Sequence, residues 1–357
     1  MKKELDGDLQ YTKSGVQKAG KSLLIENIVN TDPDRYKECM DMLSIWRSSH
    51  IDVLNNLSRE LRIISHKVDD ESIVVSRLKR TPSIITKLRR NPKMNLDRMQ
   101  DIAGCRAIVK SPKYVSKVRK HLKLVYPLKE TNYIDNPKPD GYRGVHLIGK
   151  HVSAIDNKNY QVEIQVRTKL QHAWATSVEI VDLFTKQTLK SNIGQQDWKD
   201  FFKYAGDEFA GIEGTPQNFD DSQVQLARLI SKLNIYKRFN AFRVTLNFID
   251  ENISSHEHAY CLIKIDTVSN TGEVFLFSER ESKEATKQYL AAEKESAKNP
   301  TLVSALVNIA SVGNLKEAFP NYFADSTLFI ETLQSVHSLP PGFGARLLAK
   351  WLKAAGL

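Results

Sequence analysis

The sequence predicts a multidomain α/β protein, in which helices precede a mixed sheet and a smaller α+β domain follows it. The chain has 357 residues, more than the ~100–150 of a typical domain. Apolar residues recur every three or four positions through residues 1–70, which is typical of helices. Between residues 74 and 185 strand and helix patterns alternate, and this favours a sheet flanked by helices.

The composition divides the chain into five parts. Residues 1–70 are predicted to form an N-terminal helical segment, and residues 71–205 the α/β domain. Glycines, acids and a proline predict a linker at 206–221. A C-terminal α+β domain is expected over 222–340, and a basic amphipathic tail helix over 341–357.

The C-terminal domain carries no recognised chemistry. Apolar runs at 242–249 and 260–265 predict strands of hairpin type, and a further strand is predicted at 273–277. A domain without chemistry of its own is a candidate for regulation or sensing. We therefore expect that a protein trigger or an antitoxin could bind there.

The overall charge points to a polyanionic partner. The formal net charge is +10 and the pI about 9.3, and excess positive charge attracts nucleotides and nucleic acids. The three cysteines, Cys39, Cys105 and Cys261, lie far apart, which argues against a zinc ribbon or a disulfide scaffold. No apolar run approaches the ~20 residues of a membrane span, and we expect a cytoplasmic protein without membrane contact.

One segment matches the sequence pattern of a phosphate-binding loop. Gly15, Gly20, Lys21 and Ser22 fit the pattern GxxxxGK[ST]. Such a loop follows a buried strand, whereas the residues before Gly15 are polar. We interpret this segment as the start of the first helix, with Lys21 on the helix surface.

A second basic segment is the better candidate for phosphate binding. Arg77 and Lys79 precede Pro82, Ser83 and a predicted helix, so Ser83 and the amides of the first turn can meet a phosphate. An exposed helix usually carries both charges, but this segment has one acid, Asp97. Its eight basic residues are Arg77, Lys79, Arg80, Lys87, Arg89, Arg90, Lys93 and Arg98. The pattern does not distinguish a triphosphate from an RNA end.

Two carboxylates have the positions of a metal pair. In the predicted strand at 160–167, Glu163, Gln165 and Arg167 alternate with apolar residues and therefore share one face. Asp101 is expected at the head of another strand. Two carboxylates at one sheet edge suit Mg²⁺, which takes oxygen ligands and bridges phosphates. Either acid alone would more simply be a solvated or capping residue.

Tyr142 lies in a short polar loop that suits a nucleobase. The loop reads Pro137-Lys138-x-Asp140-Gly141-Tyr142, and His146 follows. We expect this setting to be too polar for a core aromatic, so that the ring is available for stacking on a base. The alternative is a plain packing residue.

Three blocks of this sequence resemble the motifs of the RelA/SpoT alarmone synthetase superfamily, in the family's order. The resemblance covers roughly residues 75 to 185, about a third of the chain. It implies a nucleotidyltransferase-like synthetase domain, as in small alarmone synthetases and their toxic relatives. The blocks are Arg77-x-Lys79-x-x-x-Ser83-Ile84-x-x-Lys87, Asp101–Arg106 and Tyr133–Thr168.

The resemblance also implies an activity. Members of this family are Mg²⁺-dependent pyrophosphokinases that move the β,γ-pyrophosphate of ATP to a ribose 3′-hydroxyl. The acceptor is GDP or GTP, which gives the alarmone (p)ppGpp, or the 3′ end of tRNA in toxins that stop translation.

Site residues carry over by position. Arg77 and Arg106 would stack on the ATP adenine, while its phosphates would be held by Lys79, Ser83 and Lys87. Asp101 and Glu163 would bind Mg²⁺ as the catalytic carboxylates, or Glu163 would activate the acceptor hydroxyl. Tyr142 would stack on the acceptor base, in a site also lined by Lys138, His146, Gln165 and Arg167. Downstream, a structural role and a catalytic-site role both stay open for His172, within a small-synthetase signature of His172, Trp174 and Glu179.

The departures from the family pattern lie on the acceptor side. The family commonly has Lys-Asp at the position of Thr131-Asn132. It commonly has Asn at the position of Asp140 and Ser at the position of Gly144. The acceptor therefore stays open between a guanine nucleotide, an adenine nucleotide and tRNA, and the high positive charge favours tRNA. The sequence contains no His-Asp dipeptide, so we expect no counterpart of the hydrolase half of long family members. A catalytically inactive nucleotide or RNA sensor is the alternative function, against which the retained Asp101 and Glu163 argue.

Overall fold

The structure is a computed structural model that describes residues 11–185, 195–252, 259–266, 271–299, 302–309 and 322–338. The chain divides into two compact units. Unit 1 comprises the chain up to Asn132 together with Gly144–Thr168. Unit 2 comprises Tyr133–Arg143 and the chain from Lys169 onward.

Unit 1 begins with helices, as predicted. Asp32 accepts a hydrogen bond from the Arg35 amide at 3.1 Å and caps the third helix, which has Pro33 in its first turn. Asp32 and Pro33 therefore mark the break between the second and the third helix. The helices are α1 (Lys13–Ser22), α2 (Ile28–Thr31), α3 (Pro33–Ser48) and α4 (Ile51–Val68).

The segment that matches the phosphate-loop pattern, Gly15 to Ser22, is helical. Gly15 to Ser22 lie within α1, and Lys21 is exposed. Gly20 is buried, and a Cβ at this position would lie 2.7 Å from Leu96 Cβ. The glycine therefore serves close packing of α1 rather than a phosphate, and the helix interpretation is confirmed.

A mixed five-stranded sheet forms the centre of unit 1, in the order β1-β2-β5-β4-β3. The neighbours β2 and β5 are parallel and all other pairs antiparallel. One face buries Val162, Ile164 and Val166, and helices α4 and α6 contact β2 and β5. The predicted α/β fold is confirmed. The strands are β1 (Ile73–Leu78), β2 (Ala103–Val109), β3 (Lys129–Asn132), β4 (Val145–Val152) and β5 (Asn159–Thr168), and the helices among them are α5 (Thr81–Arg90) and α6 (Pro112–Val125).

Unit 2 is an α+β assembly. Its three-stranded antiparallel sheet has the order β7-β6-β8. The aromatic side chains of Trp174, Phe201, Phe202 and Phe329 are buried in its main core. Its helices are α7 (Lys169–Thr185), α8 (Gln195–Ile212), α9 (Ser222–Lys232), α10 (Ile235–Asn252), α11 (Ser282–Lys298) and α12 (Tyr322–His337), and its strands are β6 (Tyr260–Asp266), β7 (Thr271–Phe277) and β8 (Leu302–Asn308).

The strand predicted at 242–249 is wrong, because these residues belong to helix α10. Phe239, Phe242 and Leu246 are buried at spacings of three and four, whereas Val244 is 44% exposed. The helical period therefore decides the structure. The strand predicted at 260–265 is confirmed as β6.

The predicted domain boundaries stay predictions. Residues 206–212 of the predicted linker form the end of α8, and the next helix starts at Ser222. The predicted tail helix, 341–357, lies outside the described residues. Among the helices of the described ranges, none combines the length and apolar character needed to cross a bilayer.

Candidate active site

Strand register gathers predicted site residues on the polar face of the unit 1 sheet. Arg77 pairs with Gly104, and Gly104 pairs with Glu163. Directly paired residues project to the same face. The next row on this face contains Arg106, Gln165 and His146. The alternation predicted for the strand that carries Glu163 is therefore confirmed.

Asp101 is held between two lysines. It lies two residues before β2, and not at the head of the strand as expected. Lys79 Nζ lies 2.9 Å from Asp101 Oδ2, and Lys87 Nζ lies 2.8 Å from Oδ1. Burial would raise the pKa of Asp101, but the hydrogen bonds and charges of Lys87 and Lys79 lower it overall. This carboxylate is therefore ionised at neutral pH.

Glu163 is the second carboxylate of the site and is half-buried. His146 Nδ1 donates to its Oε1 at 2.8 Å, and Gln165 Nε2 donates to its Oε2 at 2.7 Å. Burial opposes ionisation, yet these contacts and the charge of Lys87 lower the pKa of Glu163 to about 2. Lys87 thus acts on both carboxylates.

Gln165 connects Glu163 to two arginines. Its Oε1 accepts hydrogen bonds from Arg106 Nε at 3.1 Å and from Arg167 at 2.9 Å. Arg167 is only 5% exposed. This continuous network fixes the amide and therefore the orientation of Glu163.

Gly104 leaves a gap in the row between Arg77 and Glu163. A Cβ at Gly104 would meet only the Glu163 carbonyl oxygen, at 3.5 Å. The space above the glycine could therefore accept a methyl group or part of a ligand. Arg77 on one side of this gap is exposed, and Arg106 occupies the neighbouring row.

Two more of the predicted ATP residues lie on α5. Ser83 is the third residue of this helix and is exposed, and Lys87 lies one turn further along. Exposed N–H groups in the first turn of a helix favour an anion. The structure thus brings Arg77, Lys79, Ser83, Lys87, Asp101, Arg106, His146, Glu163, Gln165 and Arg167 into unit 1.

The remaining predicted acceptor residues, Lys138 and Tyr142, belong to unit 2, in the segment 133–143 that we name the Tyr142 loop. Lys138 Nζ lies 4.7 Å from the ring centroids of both Tyr133 and Tyr142. Tyr142 is half-buried and meets the Trp174 ring edge-on at 6.2 Å. Our expectation that this setting excludes core packing is wrong, because the ring packs against the aromatic core of unit 2.

Two residues of the downstream signature on α7, His172 and Trp174, make buried contacts within unit 2. His172 is 4% exposed, and its Nε2 lies 3.3 Å from Asp325 Oδ2. Trp174 donates from Nε1 to the Phe202 carbonyl at 2.9 Å. These contacts support the structural interpretation of His172. Glu179 is exposed.

The donor set fits a magnesium ion that is shared with a substrate. Asp101 and Glu163 offer four oxygens of ionised carboxylates, the ligand type that Mg²⁺ prefers. Each oxygen already accepts a hydrogen bond from a lysine, a histidine or an amide. Over the ranges that the structure describes, there is no group of three or more His, Cys, Asp or Glu side chains suited to a metal. Substrate phosphates would have to complete the coordination.

Sequence reasoning missed three residues of these sites. In the sequence, Gly104 is recognisable only as part of a motif. The pairing of strands β1, β2 and β5 is what reveals the gap between Arg77 and Glu163. Arg143 and Asp207 form a buried ion pair at 3.4 Å beside Tyr142. An acid within the apolar end of α8 was the available signal, because a buried charge requires a partner.

Comparison with known proteins agrees with this geometry. Residues 76–181 match the family model described as the region found in RelA / SpoT proteins. GTP pyrophosphokinase YjbM of Bacillus subtilis is 32% identical over 126 residues, which are 32% of this chain and 60% of that protein. GTP pyrophosphokinase YwaC of the same organism is 35% identical over 114 residues, 28% of this chain and 53% of that protein.

The match to these relatives is partial, and it spans 60% or less of their length. Among solved structures, small alarmone synthetase 2 from Bacillus subtilis is 27% identical, with a TM-score of 0.41, and the match covers 47% of this chain and 92% of that one. The order of the three motif blocks, the family match and the named relatives agree. Residues 76–181 of this chain therefore resemble the region found in RelA / SpoT proteins, and a further C-terminal part follows them.

Proposed function

We propose that the protein is a pyrophosphokinase that transfers the β,γ-pyrophosphate of ATP to a ribose 3′-hydroxyl. The observation that carries this proposal is the pair of ionised carboxylates, Asp101 and Glu163, both influenced by Lys87. Glu163 lies on the same sheet face as Arg77 and Arg106, and Asp101 lies two residues before strand β2. The names of the curated relatives support the same activity.

ATP binds on the polar face of unit 1. The planar guanidiniums of Arg77 and Arg106 stack on the adenine beside the gap at Gly104, a role that lysine would not fill. Lys79 and Lys87 hold the phosphates together with Ser83 in the first turn of α5. In this structure the lysines pair with Asp101, and a triphosphate offers them a partner of greater charge.

A bound Mg²⁺ would neutralise charge on the triphosphate, and Asp101 and Glu163 would hold it. The acceptor 3′-hydroxyl oxygen attacks the β-phosphorus and its proton passes to water. The bond from that phosphorus to the α,β-bridging oxygen breaks, and AMP leaves with that oxygen. A pKa of about 2 makes Glu163 a weak base. This favours its metal-binding role over activation of the hydroxyl, since loose phosphoryl-transfer transition states depend mainly on positioning and charge.

The favoured acceptor is a guanine nucleotide, so that the product is (p)ppGpp. The relatives named GTP pyrophosphokinases support this choice. Tyr142 stacks on the base and Lys138 lies beside it for the phosphates. His146, Gln165 and Arg167, the other predicted acceptor residues, orient Glu163 through the hydrogen bonds described above.

The 3′ end of tRNA is the second candidate acceptor. Arg89, Arg90 and Lys93 are exposed on unit 1, outside the residues assigned to ATP, and such a surface suits a phosphate backbone.

One labelling experiment decides among these functions. The protein is incubated with γ-labelled ATP and, separately, with GDP, GTP, ATP or tRNA, and the labelled product is located. Label on GDP or GTP supports the alarmone synthetase, whereas label on tRNA alone supports the toxin. ATP binding without transfer to any acceptor would support the inactive sensor.

A further inference from the structure

The Tyr142 loop belongs to unit 2, although the chain on both sides of it belongs to unit 1. Its contacts within unit 2 are therefore those that shape it. Two of them, one on either side of Tyr142, fasten the loop to helix α8.

The first contact joins two glycines. Gly141 has a φ of +90°, which favours glycine. A Cβ at Gly141 would lie 2.8 Å from the Phe202 carbonyl oxygen, and a Cβ at Gly206 would lie 2.5 Å from the Gly141 carbonyl oxygen. The loop backbone therefore rests directly on the α8 backbone, with no room for a side chain.

The second contact is the ion pair of Arg143 and Asp207. Their side chains are 4% and 1% exposed and approach to 3.4 Å. Arg143 also donates to the Ile134 carbonyl at 3.3 Å and so ties down the start of the loop. Asp207 also accepts from the amides of Asn218 at 2.7 Å and Phe219 at 3.3 Å. One carboxylate thus links the loop to α8 and to the segment before α9.

Tyr142 lies between these two fastened neighbours. Its amide donates to Asp140 Oδ1 at 3.0 Å, and its carbonyl accepts from the Lys138 amide at 3.2 Å. The backbone at residue 142 is therefore defined on both sides. Trp174 then limits the directions that the ring can take.

From this geometry we infer that Asp207 is a positioning residue for the acceptor. It holds Arg143, and Arg143 fixes the backbone from which the Tyr142 ring meets the acceptor base. The inference rests on the proposed function, which places that base on Tyr142. It follows that a change at α8 alters acceptor binding while ATP binding, assigned to unit 1, is unaffected.

The test compares Asp207→Asn with Glu208→Gln. Glu208 is the adjacent residue on α8, is 2% exposed and hydrogen-bonds Ser222, so it controls for loss of a buried carboxylate. We expect Asp207→Asn to raise the KM for GDP at least about tenfold, since small misplacements of substrate-orienting groups have effects of that order. The KM for ATP should not change. Amides of residues 133–143 should exchange hydrogen faster in Asp207→Asn and at the wild-type rate in Glu208→Gln.

The inference would be overturned if both variants changed the KM for GDP and the KM for ATP equally. It would also be overturned if the amides of residues 133–143 exchanged at the wild-type rate in Asp207→Asn. If Asp207→Asn does not fold, Gly206→Ala tests through the first contact whether α8 positions the loop, because its Cβ would lie 2.5 Å from the Gly141 carbonyl oxygen. If the wild-type protein labels tRNA instead of GDP, the KM for tRNA is measured. If it transfers to no acceptor, the proposed function fails, and the exchange rates of the two variants alone decide the positioning role.

Discussion

Lys87 Nζ lies 2.8 Å from Asp101 Oδ1, and the charge of the same lysine contributes to the low pKa of Glu163. One cation therefore stabilises two carboxylates that come from different segments of the chain. Lys87 is thus one of the groups that keep the two carboxylates ionised, together with Lys79 at Asp101 and with His146 and Gln165 at Glu163.

The gap at Gly104 gives the first prediction. Gly104→Ala should leave the stability of the protein unchanged or raise it by about 0.4–1 kcal/mol, because the unfolded chain loses freedom and the nearest atom to the new Cβ is 3.5 Å away. ATP binding should weaken, since the methyl group enters the space beside Arg77. Calorimetric titration with ATP and thermal unfolding measure the two effects.

Gly149→Ala is the matched control for this variant. Gly149 lies in β4 of the same sheet, and its Cβ would lie 2.5 Å from Leu128 Cδ2. The Leu128 side chain would have to shift, so this variant should gain no stability and should keep its ATP affinity. Normal ATP affinity in Gly104→Ala with weakened ATP affinity in Gly149→Ala would contradict the assignment of the Gly104 gap to ATP.

Tyr142→Ala should weaken acceptor binding. Stacking of a base on an aromatic ring contributes about 1–3 kcal/mol, so the acceptor KM should rise while the ATP affinity is preserved. Tyr142→Phe retains the ring and should behave like the wild type. If calorimetry showed a loss of ATP affinity and normal acceptor affinity, the two sites would be assigned the wrong way round.

His50 should make the stability of the protein depend on pH. It is 1% exposed, and burial lowers its pKa from 6.5 to about 4, although its Nδ1 donates to the Trp46 carbonyl at 2.7 Å. The folded state therefore favours the neutral ring. This stability is fully present above pH 6.5 and is lost as the pH falls toward 4, by about 3 kcal/mol in total.

The measurement is urea unfolding at pH 7.5 and at pH 5. Other groups contribute to the difference between the two values, so the comparison is with His50→Phe. The variant should lose less stability than the wild type on acidification. Identical pH dependence of the two proteins would show that His50 titrates normally.

The basic surface of unit 1 should discriminate between the two acceptors. If tRNA is the acceptor, reversal of charge at Arg89 and Arg90 should reduce tRNA labelling far more than any transfer to GDP. In a plot of log affinity for tRNA against log salt concentration, the slope of the charge-reversed variant should also be shallower. The expected change in slope is about 0.7 for each lost phosphate contact to a single strand. Lys113→Glu, an exposed position on α6, is the control. Equal effects on both acceptors would exclude this surface as a tRNA site.

The sequence sufficed for the local parts of this account. Alternation predicted that Glu163, Gln165 and Arg167 share a face, and the charge bias of the segment from Arg77 to Arg98 indicated a phosphate site. Both signals come from neighbours along the chain. The run at 242–249 shows the limit, because alternation and a helical period coexist there and burial by other elements decides between them.

Longer-range relationships could not be predicted. The carboxylate of Asp101 meets Lys79 because β1 pairs antiparallel with β2, and it meets Lys87 because helix α5 follows β1. Arg143 and Asp207 are 64 residues apart, and no local pattern pairs them. The attachment of the Tyr142 loop to α8 likewise depends on tertiary packing, which a single sequence does not encode in any periodic signal.

The most direct measurement is the rate at which Glu163→Gln transfers labelled pyrophosphate from ATP. This rate is compared with that of the wild type, and the acceptor is the one that the wild type labels. The substitution keeps the shape of the side chain and removes its charge. Loss of one electrostatic partner of a transition state typically reduces the rate by about 10²–10³, and we predict a loss of this size with ATP still bound and cooperative thermal unfolding retained. Turnover near the wild-type rate would contradict the assignment of Glu163 to the catalytic pair.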